Sequence, residues 1–343
     1  MSIIESSTSH DEPDAPRTAA ATICFVACVE SGPLEAQTVR LADSLRRFGG
    51  RLADSEIIAV TPRFGPPLAR ETRKRFAELG VRHERIPAHP RYSWYHYLNT
   101  PLALAAAESM TDATHMAWID SDIIFMGEPE ALLLPEDVDF TACVTDNGVV
   151  GSTGPDSPHE ADWLRLFKLL DIDPEQLPWV TTHVENERIR MYFQAGLFVY
   201  KRDIGFSDYY LKMCERVLDS RFGFAHNGEH FTDQVCLGLA MFKSGLRWRH
   251  LPYSHNFPMA SFLPEQDGLD SAEILHYHDS MEPHFFDTVL ERLHETHPEV
   301  HEWLRTQPPL TDPAPAPSRL LRQTLRVARG VPRRRYRSRM LAA

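Results

Sequence analysis

Long apolar segments are missing from this sequence of 343 residues, and none approaches the roughly 20 consecutive apolar residues that span a bilayer. Cysteine is scarce too. The five cysteines form no C-x-x-C pair, which argues against a disulfide scaffold or zinc finger and favours a reducing, cytoplasmic setting. Residues 1–20 lack the basic start and apolar core of a signal peptide, and we expect a disordered tail there. Patterns typical of a P-loop, a dinucleotide-binding turn or a G-x-S-x-G nucleophile are also absent.

The charge is unevenly distributed along the chain. Acidic residues outnumber basic ones, 48 to 36, for a formal net charge of -12. From Arg319 onward there are nine arginines and no acidic residue, so the rest of the chain carries 27 basic and 48 acidic groups, a balance of -21. A body this acidic argues against general binding to nucleic acid. The 43% hydrophobic content is ample for a packed core.

Predicted strands alternate with predicted helices through the first half of the chain. The segment ICFVACV has the apolar, β-branched character of a buried strand. EIIAVTP, VRHERIP and HMAWI are predicted as three further strands, and helical periodicity separates the four. In the second half, MYFQAGLFVYK predicts a strong strand interrupted by Gly196. This order predicts an α/β fold with a Rossmann-like mixed sheet flanked by helices.

Two carboxylates, Asp120 and Asp122, follow the predicted strand HMAWI in an otherwise apolar run. If the backbone stays extended, residues i and i+2 project to the same side, and adjacent carboxylates repel unless a cation lies between them. Mg²⁺ or Mn²⁺ bound to substrate phosphates is commonly held in this way, beyond the carboxyl end of a strand. The alternative is a simple turn closed by Asx hydrogen bonds.

Three further features have both a functional and a structural interpretation. His276 and His278 would share one face of a short strand, either as metal ligands or as half-buried imidazoles with other partners. Gln194 and Gly196 interrupt a strand, where glycine permits either close approach of a ligand or a bulge. Asp233 lies at a predicted helix start, where a carboxylate can serve chemistry or only complement the helix dipole.

The order of these features resembles glycosyltransferases of the GT-A fold, most closely glycosyltransferase family 8, which includes glycogenin and bacterial lipopolysaccharide glucosyl- and galactosyltransferases. The similar segments run in the family's order through residues 22–285: ICFVACVESGPLEAQTVRLADSLRRFGG, YLNTPLAL, AWIDSDIIF, FQAGLFVY, Asp233-Gln234, LPYSHNF and a strand ending in His276. The resemblance implies one GT-A domain over residues 21–306. Its nucleotide-binding half would be 21–126, and its acceptor-binding half 127–306.

The resemblance also implies a role for each candidate residue. A divalent cation, Mn²⁺ or Mg²⁺, would be held by Asp120, Asp122 and His276 against the diphosphate of a nucleotide sugar, most simply a UDP-sugar. Asp233 and Gln194 would be the catalytic residues, close to the sugar and acceptor hydroxyls. The remaining contacts to the nucleotide sugar would come from Ala27, Cys28, Val29, Asn99, Asp120, Gly196 and His278. The expected acceptor is a glycan, a lipid-linked sugar or a small molecule, and the expected outcome is retention of anomeric configuration.

The chain departs from the family in the segment that grips the donor diphosphate. The family has His-x-x-Gly-x-x-Lys-Pro-Trp, whereas here Asp279 replaces the glycine, Glu282 the lysine and His284 the tryptophan. Thr100 likewise replaces a family lysine. Phosphate neutralisation therefore has to come from the metal or from an arginine elsewhere.

Two other functions are compatible with the sequence. A nucleotidyltransferase could use the same fold and the same Asp-x-Asp, but VESGPLEAQ lacks the glycine-rich, basic phosphate loop expected after the first strand. A binding protein for nucleotide sugars with a decayed site would account for the lost lysine.

The C-terminal residues 307–343 combine a Pro-rich linker with a basic segment in which Leu321, Leu325 and Ala328 recur at helical spacing. We expect a tethered rather than a packed segment. Its nine arginines favour either peripheral contact with an anionic membrane at its cytoplasmic face or folding back onto the acidic body.

Overall fold

A seven-stranded mixed sheet forms the centre of the computed structural model, which describes residues 21–145, 149–225, 227–263, 265–307 and 310–340. The predicted disordered tail, residues 1–20, lies outside these ranges. The strands are β1 (Ile23–Cys28), β2 (Glu56–Thr61), β3 (Val81–Arg85), β4 (His115–Ile119), β5 (Ile123–Phe125), β6 (Phe140–Val144), β7 (Trp179–Thr181), β8 (Arg188–Arg190), β9 (Phe193–Lys201), β10 (Trp248–His250), β11 (Phe257–Pro258) and β12 (Ile274–His276). The helices are α1 (Pro33–Phe48), α2 (Arg70–Glu78), α3 (Asn99–Glu108), α4 (Glu160–Leu170), α5 (Phe206–Asp219), α6 (Thr232–Lys243), α7 (Phe286–Thr296), α8 (Pro298–Thr306) and α9 (Ala316–Arg337).

The strand order of the large sheet is β10-β6-β9-β4-β1-β2-β3. Strands β4, β1, β2 and β3 are parallel, and β9 runs antiparallel to both of its neighbours, β4 and β6. The predicted α/β fold with a mixed sheet is therefore confirmed, as are the four predicted strands of the first half. A smaller sheet in the order β11-β12-β5 continues from the end of β4.

The two faces of the large sheet bury different sets of side chains because residues alternate along each strand. Along β1, Phe25 and Ala27 pack towards α1 and α2, whereas Cys24 and Val26 pack towards α3 to α6. A third cluster lies between the small sheet and helices α7 and α8. Helices thus cover both faces and leave the carboxyl ends of the parallel strands accessible.

The C-terminal helix α9 is packed against the body, which contradicts the expected tethered segment. Tyr336 lies 4.9 Å, ring centre to ring centre, from the buried Trp94, and Arg333 pairs with the buried Glu229. Folding back was one of the two predicted alternatives, and the acidic body explains it. Within the described ranges, no helix combines the length and apolarity needed to cross a bilayer.

Candidate active site

A cavity of about 760 Å³ opens at the carboxyl ends of β1 and β4. Most of the candidate residues from the sequence line this one cavity: Cys28, Asn99, Asp120, Asp122, Gln194, Gly196, Asp233, His276 and His278. These residues come from well-separated parts of the chain, and the sheet order brings them together because β9 and β1 both lie beside β4. Open α/β sheets typically bind ligands at this edge.

The pairing of β5 with β12 places Asp122 next to two histidines. His276 pairs with Ile123 in antiparallel register, and the Tyr277 N–H donates to the Asp122 carbonyl at 3.0 Å. The residues on either side of Tyr277 then meet the Asp122 carboxylate. His276 Nε2 lies 3.3 Å from one oxygen of that carboxylate, and His278 Nδ1 lies 4.0 Å from the other.

The geometry differs from the predicted strand in two places. The Asp120–Ser121–Asp122 segment is a turn between β4 and β5, so its backbone is not extended. Strand β12 ends at His276, and His278 lies beyond it with a φ of 47°, a left-handed conformation that costs free energy for a residue with a side chain. The two imidazoles nevertheless stack, with ring centres 3.9 Å apart.

One ligand atom each from Asp122, His276 and His278 lies within 4.8 Å of the other two. A bound divalent ion holds ligands about 2.1 Å from its centre, so atoms about 4 Å apart can share one ion. A set of two imidazoles and one carboxylate suits a first-row transition metal better than Mg²⁺, which prefers oxygen ligands. His278 is thus among the residues that could hold a metal ion, whereas the sequence resemblance assigned it to donor contacts.

Burial and like charge act together on Asp120. Burial, and then the charge of Asp122, raises the pKa of Asp120 to about 7. Burial also acts on Asp122, but the neighbouring His276 holds the pKa of that carboxyl below its ordinary value. Burial, followed by His276, lowers the pKa of His278 to about 3, which keeps its imidazole neutral and able to bind a metal.

Gln194 and Gly196 lie on a bulge, which confirms the bulge interpretation, and both residues also line the cavity. The partner of Ala142 across the β6–β9 pair is Phe198, whereas the partner of Val144 is Phe193, which leaves extra residues on β9 between them. The Gly196 carbonyl accepts the Asp120 N–H at 2.8 Å. The Gln194 side-chain carbonyl accepts a hydrogen bond from the Asn256 amide.

Asp233 is buried at the first turn of α6, beside the cavity. Burial raises the pKa of Asp233 to about 8, although the Gln234 N–H opposes the rise. The Tyr95 hydroxyl donates to its carboxyl group at 3.4 Å. A carboxyl that is still protonated near neutral pH can both donate and accept hydrogen bonds.

The residues of β1 fall on two faces of the sheet. Cys28 lines the cavity, but Ala27 and Val29 are fully buried in the core beneath α1. Side chains alternate along β1, so Ala27 and Cys28 cannot both point into the cavity, and Val29, just beyond the strand, lies on the same face as Ala27. Burial, and then the charge of Glu30, raises the pKa of the Cys28 thiol well above its usual range, so this thiol stays protonated.

Sequence reasoning missed several polar residues of the cavity, chiefly Glu30, Arg63 and His96. Arg63 donates two hydrogen bonds to Glu30, at 2.6 and 2.8 Å, and the Asn99 amide donates to Glu30 at 3.3 Å. Glu30 and Arg63 each stand two residues after a parallel strand. Position at the carboxyl edge of the sheet was therefore the signal that could have identified them.

Residues 25–245 match the Rhodobacterales glycosyltransferase domain, and the chain belongs to that family of glycosyltransferases. The search of curated proteins found no match to this sequence. Among solved structures, the apo structure of the bifunctional glycosyltransferase WbbM is similar at 15% identity and a TM-score of 0.47, over 85% of this chain and 53% of that one. The chain thus spans about half the length of the WbbM structure. Apo mouse xyloside xylosyltransferase 1 is similar at 9% identity and a TM-score of 0.43, over 75% of this chain and 97% of that one.

Proposed function

We propose that this protein is a metal-dependent glycosyltransferase of the GT-A type that moves a sugar from a nucleotide-sugar donor, a UDP-sugar in the simplest case, to a glycan, lipid-linked or small-molecule acceptor. The observation that carries the proposal is the Asp122–His276–His278 triad at the carboxyl edge of the sheet. Membership of a glycosyltransferase family supports it. The resemblance to family 8 further leads us to propose retention of anomeric configuration.

Asp122, His276 and His278 would hold the cation, with Asp120 beside them. When bound, Mn²⁺ would supply Lewis-acid stabilisation of the leaving nucleoside diphosphate. Asp120, whose pKa of about 7 reflects burial and the neighbouring Asp122, would be drawn into its ionised form by a positive charge at this place.

Gln194 and Asp233 would position the sugar and the acceptor. Both side chains are buried and line the cavity from opposite elements, β9 and α6. Gln194 offers amide hydrogen bonds under the donor sugar. Asp233, protonated over much of the neutral range, would orient a hydroxyl group by donating one hydrogen bond and accepting another.

Nucleotide release from a panel of UDP-sugars tests this function. We expect slow release with Mn²⁺ even without an acceptor, and loss of release in excess EDTA. Asp122→Asn should abolish nucleotide release. The control is Asp208→Asn, which should not change the release, because Asp208 is an exposed carboxylate on α5 that pairs with Lys212. Full activity of Asp122→Asn, or activity in EDTA, would contradict the metal site. Nucleotide binding without any turnover would favour a decayed binding protein.

We also propose that the outer face of α9 meets an anionic bilayer at the cytoplasmic side of a membrane. Leu320 and Val327 on this face are 65% and 69% exposed, and Arg319, Arg334 and Arg335 lie around them. Each basic residue near an anionic surface contributes about 1 kcal/mol. Co-sedimentation with anionic but not neutral vesicles, lost in a chain truncated after Pro317, is the expected result. Equal sedimentation of both chains would contradict it.

A further inference from the structure

A second cavity, of about 450 Å³, lies between α9 and the ends of β1 and β2. It shares four lining residues with the site cavity, namely Glu30, Leu34, Arg63 and His96. The two cavities therefore adjoin one another at these side chains. Helix α9 lines the second cavity and thus lies beside the candidate active site, although it is distant from that site in sequence.

This second cavity is lined by an excess of positive charge. Its guanidinium groups are Arg63, Arg322, Arg326, Arg329 and Arg333, whereas its carboxylate is Glu30. Three of the five have acidic partners: Arg63 pairs with Glu30, Arg322 with Asp312 and Arg333 with Glu229.

Arg326 and Arg329 differ from the other three. Across the part of the chain that the structure describes, neither of them forms a salt bridge with a carboxylate. Arg329 donates a hydrogen bond to the Phe64 carbonyl, which fixes its position and adds no negative charge. The carboxylate that attracts Arg329 is Glu30, which lies beyond salt-bridge distance and is already paired with Arg63. An excess of cations on a concave surface creates a favourable place for an anion.

The titration of neighbouring groups agrees with this positive potential. Burial, and then the charges of Arg63 and Arg333, lowers the pKa of His96 to about 4. Burial, followed by Arg63, also lowers the pKa of Arg329. In both cases nearby cations disfavour a further positive charge, and a bound anion would relieve that repulsion.

Side chains of α9 and of the residues that follow it occupy space beside two glycines of the body. A Cβ atom on Gly32 would lie 1.5 Å from Nη1 of Arg322, and one on Gly223 would lie 1.7 Å from Cε of Met340. The body therefore lacks side chains at two points where residues of α9 and its C-terminal extension approach most closely. The Arg322 guanidinium also donates to the Ser31 carbonyl at 2.8 Å.

We propose that Arg326 and Arg329 of α9 bind the phosphates of the nucleotide donor from the adjoining cavity and so add positive charge to a site whose Arg63 is already paired with Glu30. The proposal rests on the proposed function. The guanidinium fork matches phosphate oxygens in pairs, and the charge-assisted hydrogen bonds are strong. In the sequence resemblance to glycosyltransferase family 8, Glu282 stands where that family has a diphosphate-binding lysine; its side chain is exposed, and Oε2 lies 3.7 Å from Nδ1 of His284. The arginines of α9 would restore the positive charge from another part of the chain.

The test compares two double variants of the full chain that remove the same charge from the same helix. Arg326→Gln with Arg329→Gln removes the unpaired groups of the cavity, and the control, Arg334→Gln with Arg335→Gln, removes two exposed arginines outside it. Neither double variant unpairs a buried carboxylate. Calorimetric titration with UDP, UMP and uridine in excess Mn²⁺ gives the affinities.

We expect UDP to bind the cavity variant at least about tenfold more weakly than it binds the wild type, because charge-assisted contacts are lost. Uridine should bind both equally, and the control should match the wild type. Unchanged UDP affinity, or equal losses in both double variants, would overturn the inference while leaving the proposed function intact. Tighter UDP binding would also overturn it, since α9 would then obstruct the site. A wild-type protein that binds none of the three would reject the donor site itself, and the inference with it.

Discussion

Gly196 lies so close to His276 that a Cβ atom on the glycine would be 2.6 Å from Cε1 of the imidazole. The Gly196 carbonyl also accepts a hydrogen bond from the Asp120 N–H at 2.8 Å. The bulge on β9 therefore contacts both the Asp120–Asp122 turn and His276 of the candidate metal site. Only a residue without a side chain allows this approach. A glycine is needed here because a side chain would collide with His276, and not because the backbone φ at this position is unusual.

Gly196→Ala should therefore displace His276 and weaken Mn²⁺-dependent UDP binding by about tenfold or more, the loss known for disturbing groups around a metal. Calorimetry with and without Mn²⁺ measures it. The matched control is Gly127→Ala, where the nearest atom to an added Cβ lies 3.6 Å away, an ordinary contact. If both alanine variants bind UDP equally well, the close packing of Gly196 has no role in the site.

The two histidines of the triad should contribute separately to metal affinity. We expect His276→Ala and His278→Ala each to lower Mn²⁺ affinity by about 10–100-fold in the presence of UDP, with little loss of thermal stability. The exposed His294→Ala on α7 serves as the control and should retain full affinity. If only His276→Ala affects Mn²⁺ affinity, His278 is a donor contact, as the sequence resemblance assigned it. If His276→Ala lowers stability but not metal affinity, His276 is a structural strand residue.

The sequence was most informative where local patterns determine structure. Apolar runs predicted β1, β2 and β4 because a buried parallel strand needs apolar side chains on both faces. β3 is a polar strand at the edge of the sheet, and its place between predicted helices indicated it instead. The conformation of Asp120 to Asp122 was harder, because an Asp-Ser-Asp segment suits either a strand or a turn, and its pairing with β12 decides between them. The left-handed conformation of His278 depends on that same long-range pairing.

The position of α9 could not be predicted from its own residues. A basic amphipathic helix complements an anionic bilayer and an acidic protein surface equally well. The choice depends on Glu229, Trp94 and the space left by Gly32, which lie far away in the sequence. The second cavity, which exists only between α9 and the sheet, was hidden for the same reason.

Asp233 should make stability depend on pH in a direction opposite to that of a salt-bridged carboxylate. Burial raises its pKa to about 8, whereas an unfolded aspartate titrates near about 3.9. The native state therefore binds the proton more tightly, and its stability falls as pH rises from about 4 to about 8. In metal-free protein, Asp233→Asn should raise the melting temperature relative to the wild type, more at pH 8 than at pH 5.

The difference in melting temperature between the variant and the wild type reports on Asp233. The pKa of Asp120 is also raised, but Asp120 is present in both proteins and contributes to both curves of melting temperature against pH. Asp208→Asn, at an exposed site, should follow the wild-type curve at every pH. Differential scanning calorimetry between pH 5 and pH 9 provides the comparison. A melting-temperature difference that does not change with pH would mean that Asp233 is already ionised in the native state.

Glu229 should hold α9 on the body. Its side chain is fully buried and accepts hydrogen bonds from Nε of Arg333 at 2.9 Å and Nε of Arg337 at 3.0 Å. Glu229→Gln keeps the shape of the side chain but removes its charge. We expect it to weaken docking of the helix by about 1–3 kcal/mol, between the value of an exposed ion pair and that of a fully buried one. Hydrogen exchange of the α9 amides, followed by mass spectrometry, should become faster by the corresponding factor, while the amides of β1 and β4 keep their protection.

Glu302→Gln, which removes an exposed pair with Arg305 on α8, should leave α9 unaffected. If the α9 amides exchange equally in the Glu229 variant and the wild type, apolar contacts such as Tyr336 on Trp94 hold the helix instead, and the buried carboxylate is not its anchor.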